Sequence, residues 1–218
     1  MIFLKKTLYS LMLNDEVVHE VDLLAHRLGT NRSALINQIL AEYVNYTTPE
    51  RRINDVLSAI EQLMQPNSDL VPFFAPNSYS MSLKSSLEYK YRPTVKYEVQ
   101  LFQGEEENIG ELSVVFRTQS ASLISVMTEF FRLWKSIEDA HLTPLTGHRQ
   151  HYALYEGRFT RSIAAPDRDC TTDQLASALS EYIKLFDKLM KAYVSGRLSA
   201  HEVEAAYYSQ MLNSPIHI

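Results

Sequence analysis

The chain has 218 residues, 45% hydrophobic and 22% charged, which is ordinary for a globular protein and excludes a wholly disordered one. The formal net charge of −5 excludes a surface that is basic throughout, so any nucleic-acid contact must come from a local patch. Cys170 is the single cysteine, which excludes an internal disulfide and favours the cytoplasm. Residues 1–4 are too short for a signal-peptide core, and no run approaches the roughly 20 apolar residues of a membrane span.

The first predicted elements are one short strand and one helix. Residues 6–13 alternate in polarity and are rich in strand formers. Asn14 and Asp15 then supply a turn and an N-cap. The helix that follows, residues 17–28, carries apolar residues at helical spacing. Gly29 is expected to end it as a left-handed residue.

A second helix is predicted to begin after Thr30 and Asn31, with an apolar face running from Leu35 to Tyr43. This order of elements makes a poor monomer, because a lone strand leaves its backbone donors and acceptors unpaired. A second copy of the chain would supply the missing partner. The pattern therefore predicts a two-stranded antiparallel ribbon with four helices beneath it.

Residues 13–40, LNDEVVHEVDLLAHRLGTNRSALINQIL, resemble the CopG, Arc and methionine-repressor group of ribbon-helix-helix proteins. The shared features are an apolar strand end, an acidic turn, an amphipathic helix, Gly29 and a polar start to the second helix. The resemblance implies an intertwined dimer whose ribbon enters the major groove of double-stranded DNA while the second helix holds a phosphate at its N-terminus. The DNA-binding residues that it implies are Lys5, Lys6, Leu8, Ser10, Met12, Asn31, Arg32 and Ser33.

Two of these positions depart from the family pattern. Leu8 and Met12 stand where relatives usually carry polar side chains, and neither can donate a hydrogen bond to a base. They could contact thymine methyl groups or pack against another protein. The main hypothesis is a dimeric DNA-binding protein, either a transcriptional regulator or a DNA-organising factor of the bacterial nucleoid. The alternative is a protein-interaction adaptor that uses the fold for dimerisation only.

The third helix is predicted to start near Thr47, with Pro49 at its first position and Glu50 at capping-box spacing. After it, residues 65–80 contain three prolines with several Asn and Ser, which indicates a linker or an ordered loop. The predicted division of the chain is a ribbon-helix-helix module at 1–48, a helix and linker at 49–82, and an α+β assembly or sensing domain at 83–218.

The second half is predicted to hold an antiparallel sheet and long helices. The expected strands are 87–92, 94–103, 109–118 and a hairpin of 151–155 with 158–164; the expected helices are 121–140 and two more that begin after the capping boxes Thr171–Gln174 and Ser199–Glu202. From residue 49 this order is similar to the YbjN and type III secretion chaperone-like fold. That similarity implies a domain that binds protein segments and dimerises, without catalysis, so the expected assembly is a homodimer or a higher oligomer.

Other candidate sites receive less support from the sequence. His141, His148 and His151 share one loop region with Cys170 nearby, but their spacing fits no standard zinc motif. The tyrosines at 89, 91, 97 and 152 could line a stacking surface for single strands, and are more simply strand residues packed across a sheet. No nucleophile motif or phosphate-binding glycine loop is present. The expectation is a protein without catalytic residues, metal or cofactor, and without contact with a membrane.

Overall fold

The computed structural model describes residues 7–65, 69–74, 79–103, 107–166 and 169–218. Within these ranges the chain is α+β, with six helices and one six-stranded antiparallel sheet, which confirms the predicted fold class at this level. The elements are α1 (Asp15–Arg27), α2 (Arg32–Tyr43), α3 (Pro49–Met64), β1 (Val71–Phe74), β2 (Ser80–Ser86), β3 (Thr94–Leu101), β4 (Asn108–Phe116), α4 (Ala121–Thr146), β5 (Tyr152–Tyr155), β6 (Arg158–Ala164), α5 (Thr172–Val194) and α6 (Ala200–Asn213).

The sheet has the strand order β1-β2-β3-β4-β6-β5, and every neighbouring pair is antiparallel. Its register aligns Tyr97 of β3, Val114 of β4 and Phe159 of β6 across three adjacent strands. Because side chains alternate along a strand, these three and their i±2 neighbours face one side of the sheet. All three are buried, so this side carries the core.

The main core lies between this face of the sheet and helices α3, α4, α5 and α6. Its centre is a cluster of aromatic rings, in which Phe131 of α4 stacks on Phe159 at 4.8 Å between ring centroids. Trp134 of α4 meets Phe186 of α5 edge to face at 4.7 Å. Burying an apolar side chain of this size contributes roughly 1.5–3 kcal/mol, so these rings dominate the stability of the unit.

A buried ion pair connects the sheet to the helices. Arg161 of β6 and Glu138 of α4 have no exposed side-chain surface, and the arginine Nε donates to Glu138 Oε2 at 2.9 Å. The hydroxyl of Tyr152 donates to the same oxygen at 2.7 Å, and that of Tyr207 lies 3.5 Å from Oε1. Arg161 Nη2 also donates to the main-chain oxygen of Ile218. Since buried charges are costly unless fully partnered, these contacts hold β5, β6, α4, α6 and the segment at Ile218 together.

Helices α1 and α2 stand outside this core. Gly29 between them has φ +65°, the left-handed conformation that the sequence predicts, and the two helices pack against each other. Only Ala25, Leu35 and Ala41 are buried among the apolar residues of this segment. None of the three belongs to the main core, whose members begin at Ile53. The two-helix segment therefore has little buried surface of its own.

Of the strand predicted at residues 6–13, Lys6 lies outside the described residues, and residues 7–13 have no regular secondary structure in the single chain. A strand needs a hydrogen-bonded neighbour, and no described segment pairs with these residues. The ribbon of the ribbon-helix-helix module is therefore not confirmed, and the helices α1 and α2 precede every strand of the sheet.

Several predictions of the second half need correction. The strand expected at 87–92 is a turn, in which the Arg92 N–H donates to the Tyr89 carbonyl, and the strand lies earlier, at β2. Strand β1 and the start of β2 occupy the predicted linker. In β2, SMSLKSS, the side chains of Met81, Leu83 and Ser85 face the core. Because the strand is rich in serine, its sequence shows little alternation between apolar and polar residues. Helix α3, which the sequence places with the linker, packs on α5.

Candidate nucleic-acid interface

Residues 7–14 present apolar side chains to solvent. Leu8 is 97% exposed and Met12 is 101% exposed relative to an extended reference, whereas Leu11 and Leu13 on the alternate positions are 57% and 42% exposed. A leucine and a methionine that are fully exposed gain nothing from folding as a monomer. These side chains are available to a partner, whether DNA or protein.

The whole N-terminal segment shares this character. Thirteen of the 24 large hydrophobic side chains that are exposed in the described ranges lie between Leu8 and Tyr46. These 39 residues are less than a fifth of the chain, so the exposed apolar side chains are concentrated there. Dense exposed apolar surface marks an interaction site.

The N-terminus of α2 is the second feature of the candidate interface. The Asn31 side chain accepts a hydrogen bond from the Ala34 N–H at 2.9 Å and so caps the helix. The N–H groups of Arg32 and Ser33 donate to no described residue. No acidic residue lies in the first turn of α2. Free amides at the positive end of a helix can hold an anion such as a phosphate.

Arg32 already has an anionic partner within the chain. Its Nε donates to Asp22 Oδ1 of α1 at 2.6 Å, and its Nη2 donates to Asp22 Oδ2, which makes a two-pronged pair. The hydrogen bonds from Arg32 hold the pKa of Asp22 below its usual value, and the carboxylate raises the pKa of Arg32 in return. Both side chains are about half exposed, at 51% and 43%. A phosphate that binds Arg32 would therefore have to displace the Asp22 carboxylate or share the guanidinium with it.

Taken together, the charges of residues 7–46 do not favour binding to DNA. Residues 7–46 contain five acids and two arginines, Arg27 and Arg32. Lys5 and Lys6, which the resemblance places beside the phosphates, lie outside the described residues. Ser10 and Ser33 are exposed. The described residues bring Asn31, Arg32 and Ser33 together at one helix end, and they leave Leu8, Ser10 and Met12 on an unpaired segment.

Asp22 is the residue that sequence reasoning missed. It precedes Arg32 by ten residues, across the turn between α1 and α2, and it looks like an ordinary solvated acid of an amphipathic helix. The signal that could have found it is geometric. Helices α1 and α2 are joined by a turn of four residues and pack against each other, so a side chain of α1 can reach the start of α2.

The other candidate residues are placed as follows. His141 lies in α4 with its Nε2 at 2.8 Å from Glu204 Oε1 of α6, and the His151 N–H donates to Ser162 Oγ. The Cys170 carbonyl accepts from Arg52 Nη2 at 3.2 Å. In the described ranges, no three His, Cys, Asp or Glu side chains are grouped as a metal site requires. The absence of a metal stays a prediction.

The four tyrosines considered as a stacking surface fall into two groups. Tyr97 is fully buried, and the ring of Tyr152 packs on Phe159 at 5.9 Å, so both belong to the core, as strand residues commonly do. Tyr89 and Tyr91 lie instead in the turn after β2, where Tyr91 is 87% exposed. The stacking surface suggested by the sequence is therefore not a single surface.

None of the helices in the described ranges combines the length and the apolar content needed to cross a membrane. Comparison of the chain with protein-family models, with curated proteins and with solved structures finds no match.

Proposed function

We propose that this protein is a homodimer that binds double-stranded DNA through residues 1–48, as a transcriptional regulator or a DNA-organising factor. The single observation that supports the proposal most is the segment of exposed apolar residues from Leu8 to Leu13 that precedes the helix pair α1–α2. Pairing this segment with its copy would satisfy its backbone groups and cover the apolar residues beneath it.

In the proposed complex the ribbon lies in the major groove, and each α2 directs its free N–H groups and Arg32 at a phosphate. Base discrimination should be weak. Good polar pairs supply about 1–3 kcal/mol of discrimination each, and the ribbon offers few donors between Leu8 and Met12. Affinity should rest on phosphate contacts and fall steeply as salt rises. Useful occupancy then needs several dimers side by side, a contact for which the α+β unit is large enough.

The second candidate function is a protein-interaction adaptor that uses the same dimer without DNA. The observations that favour it are the full exposure of Leu8 and Met12 and the capture of Arg32 by Asp22. Apolar side chains on an exposed segment suit a protein partner as well as they suit thymine methyl groups. The similarity in element order to chaperone-like domains points the same way.

A fluorescence anisotropy titration of the full chain on random and genomic DNA duplexes, at two salt concentrations, tests the proposal. We expect salt-sensitive, cooperative binding with a mild preference for T-rich duplexes. Arg32→Ala should weaken binding to all sequences alike, because a phosphate contact carries no sequence information. Met12→Ala should change the preference among sequences more than the affinity.

Arg27→Ala is the matched control, because it removes the other arginine of the segment, which lies in the last turn of α1 and not at the N-terminus of α2. It should leave binding nearly unchanged. If the intact dimer fails to bind duplex DNA even at low salt, the adaptor function replaces the proposal. Tight binding to one operator by an isolated 1–48 dimer would show that Leu8 and Met12 do not prevent base readout.

A further inference from the structure

An open cleft of about 640 Å³ lies where the turn between β2 and β3 faces the start of α4. One wall is built by residues of the turn, among them Tyr89, Lys90 and Tyr91, and the other by residues between Arg117 and Ser122. The two walls are separated by about thirty positions in the chain. The pairing of β3 with β4 brings them together, because each wall adjoins one end of that pair.

The cleft carries positive charge without a compensating acid. Lys90 and Arg117 line it, Arg92 adjoins it, and no Asp or Glu is among the lining residues. In the described part of the chain none of these three cations forms an ion pair. The nearest acid along the turn, Glu88, is already held by Arg197 at 2.8 Å. The chain has a net charge of −5, so a group of cations without acidic partners makes this cleft locally positive.

Aromatic and hydroxyl groups stand beside these charges. The Tyr89 hydroxyl lies 3.0 Å from Ser122 Oγ, which joins the turn to the first turn of α4, and Ser122 Oγ lies 2.9 Å from Ser120 Oγ. The Tyr91 ring is 87% exposed, and the Lys90 ammonium sits 5.4 Å from its centre. Tyr91 and Arg92 both have positive φ, at 67° and 44°, which is unusual for residues with side chains and holds the turn in a sharp conformation.

We propose that this cleft binds a nucleotide, with its phosphate between Lys90 and Arg117 and its base on the ring of Tyr91. Each part of the ligand matches one part of the cleft. Cations that have no ion-pair partner can bind phosphate oxygens, as can neighbouring hydroxyl groups, and an exposed tyrosine ring stacks on any base. The volume falls within the roughly 300–1,000 Å³ of small-molecule sites. The ligand is a free nucleotide that acts as an effector, or a nucleotide unit of a single strand.

This site is separate from the duplex-binding function proposed for residues 1–48, because none of its residues belongs to that segment. It gives the α+β unit a ligand of its own, consistent with a sensing role. The first turn of α4 contains no acid, so the helix dipole adds to the positive potential of the cleft.

The test is a fluorescence anisotropy titration of the full chain with mant-labelled adenine and guanine nucleotides, and in parallel with a short fluorescent oligothymidylate. We expect saturable binding. Lys90→Ala combined with Arg117→Ala should reduce affinity about tenfold or more, since two charge-assisted contacts are lost. Tyr91→Ala should reduce it about fivefold, whereas Tyr91→Phe should retain it because the ring carries the stacking.

The controls are Arg149→Ala combined with Lys188→Ala, two exposed cations elsewhere, and Tyr155→Ala, an exposed tyrosine at the end of β5. None of these should change affinity. Binding of the mant-nucleotides assigns the site to a free effector. Binding of the oligothymidylate alone, with the same dependence on Lys90 and Tyr91, assigns it to a single strand.

Two results would overturn the proposal. One is the absence of saturable binding by every labelled probe. The other is inorganic pyrophosphate competing as strongly as the unlabelled nucleotides while Tyr91→Ala has no effect, which would mean an unselective anion patch. Arg32→Ala should leave this binding intact, so failure here and failure of duplex binding are distinguishable results.

Discussion

The two regions of the molecule differ in where their apolar side chains lie. From Ile53 onward the chain buries a continuous core of aliphatic and aromatic residues between the sheet and four helices. Residues 7–46 bury Ala25, Leu35 and Ala41 and leave most of their larger apolar side chains in solvent. The first region buries its core within the single chain, whereas the second leaves most of its large apolar side chains exposed.

The same contrast applies to two of the arginine–carboxylate pairs, one from each region. Arg161 and Glu138 are both inaccessible and are enclosed by tyrosine hydroxyls, so neither can exchange its partner without opening the core. Arg32 and Asp22 are both about half exposed. Water and salt screen such a surface pair. A pair of the first kind holds a fold together, whereas a pair of the second kind can open for an incoming phosphate.

The largest expected effect is alkaline unfolding of the α+β unit. Burial raises the pKa of Tyr97, Tyr152, Tyr182 and Tyr207, and the carboxylates of Asp187 or Glu138 raise it further. The unfolded chain ionises its tyrosines near pH 10, while the folded unit keeps these four neutral. The stability that these four neutral tyrosines contribute is therefore fully present below about pH 10. Above that pH the free energy of unfolding falls by up to about 1.4 kcal/mol per pH unit for each tyrosine.

Far-UV circular dichroism recorded together with tyrosinate absorbance checks this prediction. Helix loss and the ionisation of the last tyrosines should coincide in one cooperative transition. If every tyrosine ionised near pH 10 while the helices stayed intact, the buried positions of these hydroxyls would be wrong.

The second prediction concerns the dimer. Ser10→Pro should abolish it, because proline removes a ladder hydrogen-bond donor and does not fit within a central strand pair. Multi-angle light scattering at micromolar concentration should report a dimer for the native chain and a monomer for the variant. Ser10→Ala is the control and should remain dimeric. A native chain that is monomeric and fully folded would exclude the ribbon and with it the proposed mode of DNA binding.

The third prediction concerns the buried pair. Arg161→Met should cost about 3–5 kcal/mol, because it leaves Glu138 charged and without its cation in the core. For a chain of this length the melting temperature should fall by roughly 10 °C. Arg158→Met, on the same strand with its side chain 46% exposed, is the matched control and should cost less than about 1 kcal/mol. Equal melting temperatures for the two variants in thermal scans would contradict the assignment of Arg161 as a structural residue.

The smallest expected effect concerns the surface pair. Asp22→Asn removes the carboxylate that competes with phosphate for Arg32, so affinity for duplex DNA should rise by about two- to fivefold at low salt. Glu20→Gln removes one charge from the same helix without releasing Arg32 and serves as the control. A gain with Glu20→Gln equal to that with Asp22→Asn would mean that general repulsion, and not the pair, limits binding.

Local signals of the sequence predicted much of the fold. The capping boxes at Thr171–Gln174 and Ser199–Glu202 are confirmed with both reciprocal hydrogen bonds, and strand β6 has its predicted bounds. The helix start predicted at Thr47 is displaced by one residue, since the Thr48 side chain is the one that accepts from the Arg51 N–H. Each of these features depends on residues within one turn of a helix or one hairpin, so their signals lie close together in the chain.

The candidate site was predicted less completely. Asn31, Arg32 and Ser33 do meet at the start of α2, but nothing near Arg32 in the chain indicates that Asp22 would take its guanidinium. Strands β1 and β2 escape prediction because their alternation is weak, and pairing stabilises them instead, β1 with β2 and β2 with β3. Likewise Arg161, which resembles an ordinary surface cation within RFTRSI, is buried because Glu138 and three hydroxyl-bearing rings from other elements surround it.

The sequence by itself determined the class of the fold, the caps and turns, the face of each long helix and the unusual apolar character of residues 8–13. Only the tertiary structure decided which charges are paired, which tyrosines are buried, and that the turn at Tyr91 faces Arg117 across a cleft. The physical reason is the range of the interactions. Backbone capping and periodicity act over a few residues, whereas an ion pair or a cleft depends on groups that only the packing of the sheet and helices brings within a few ångströms of each other.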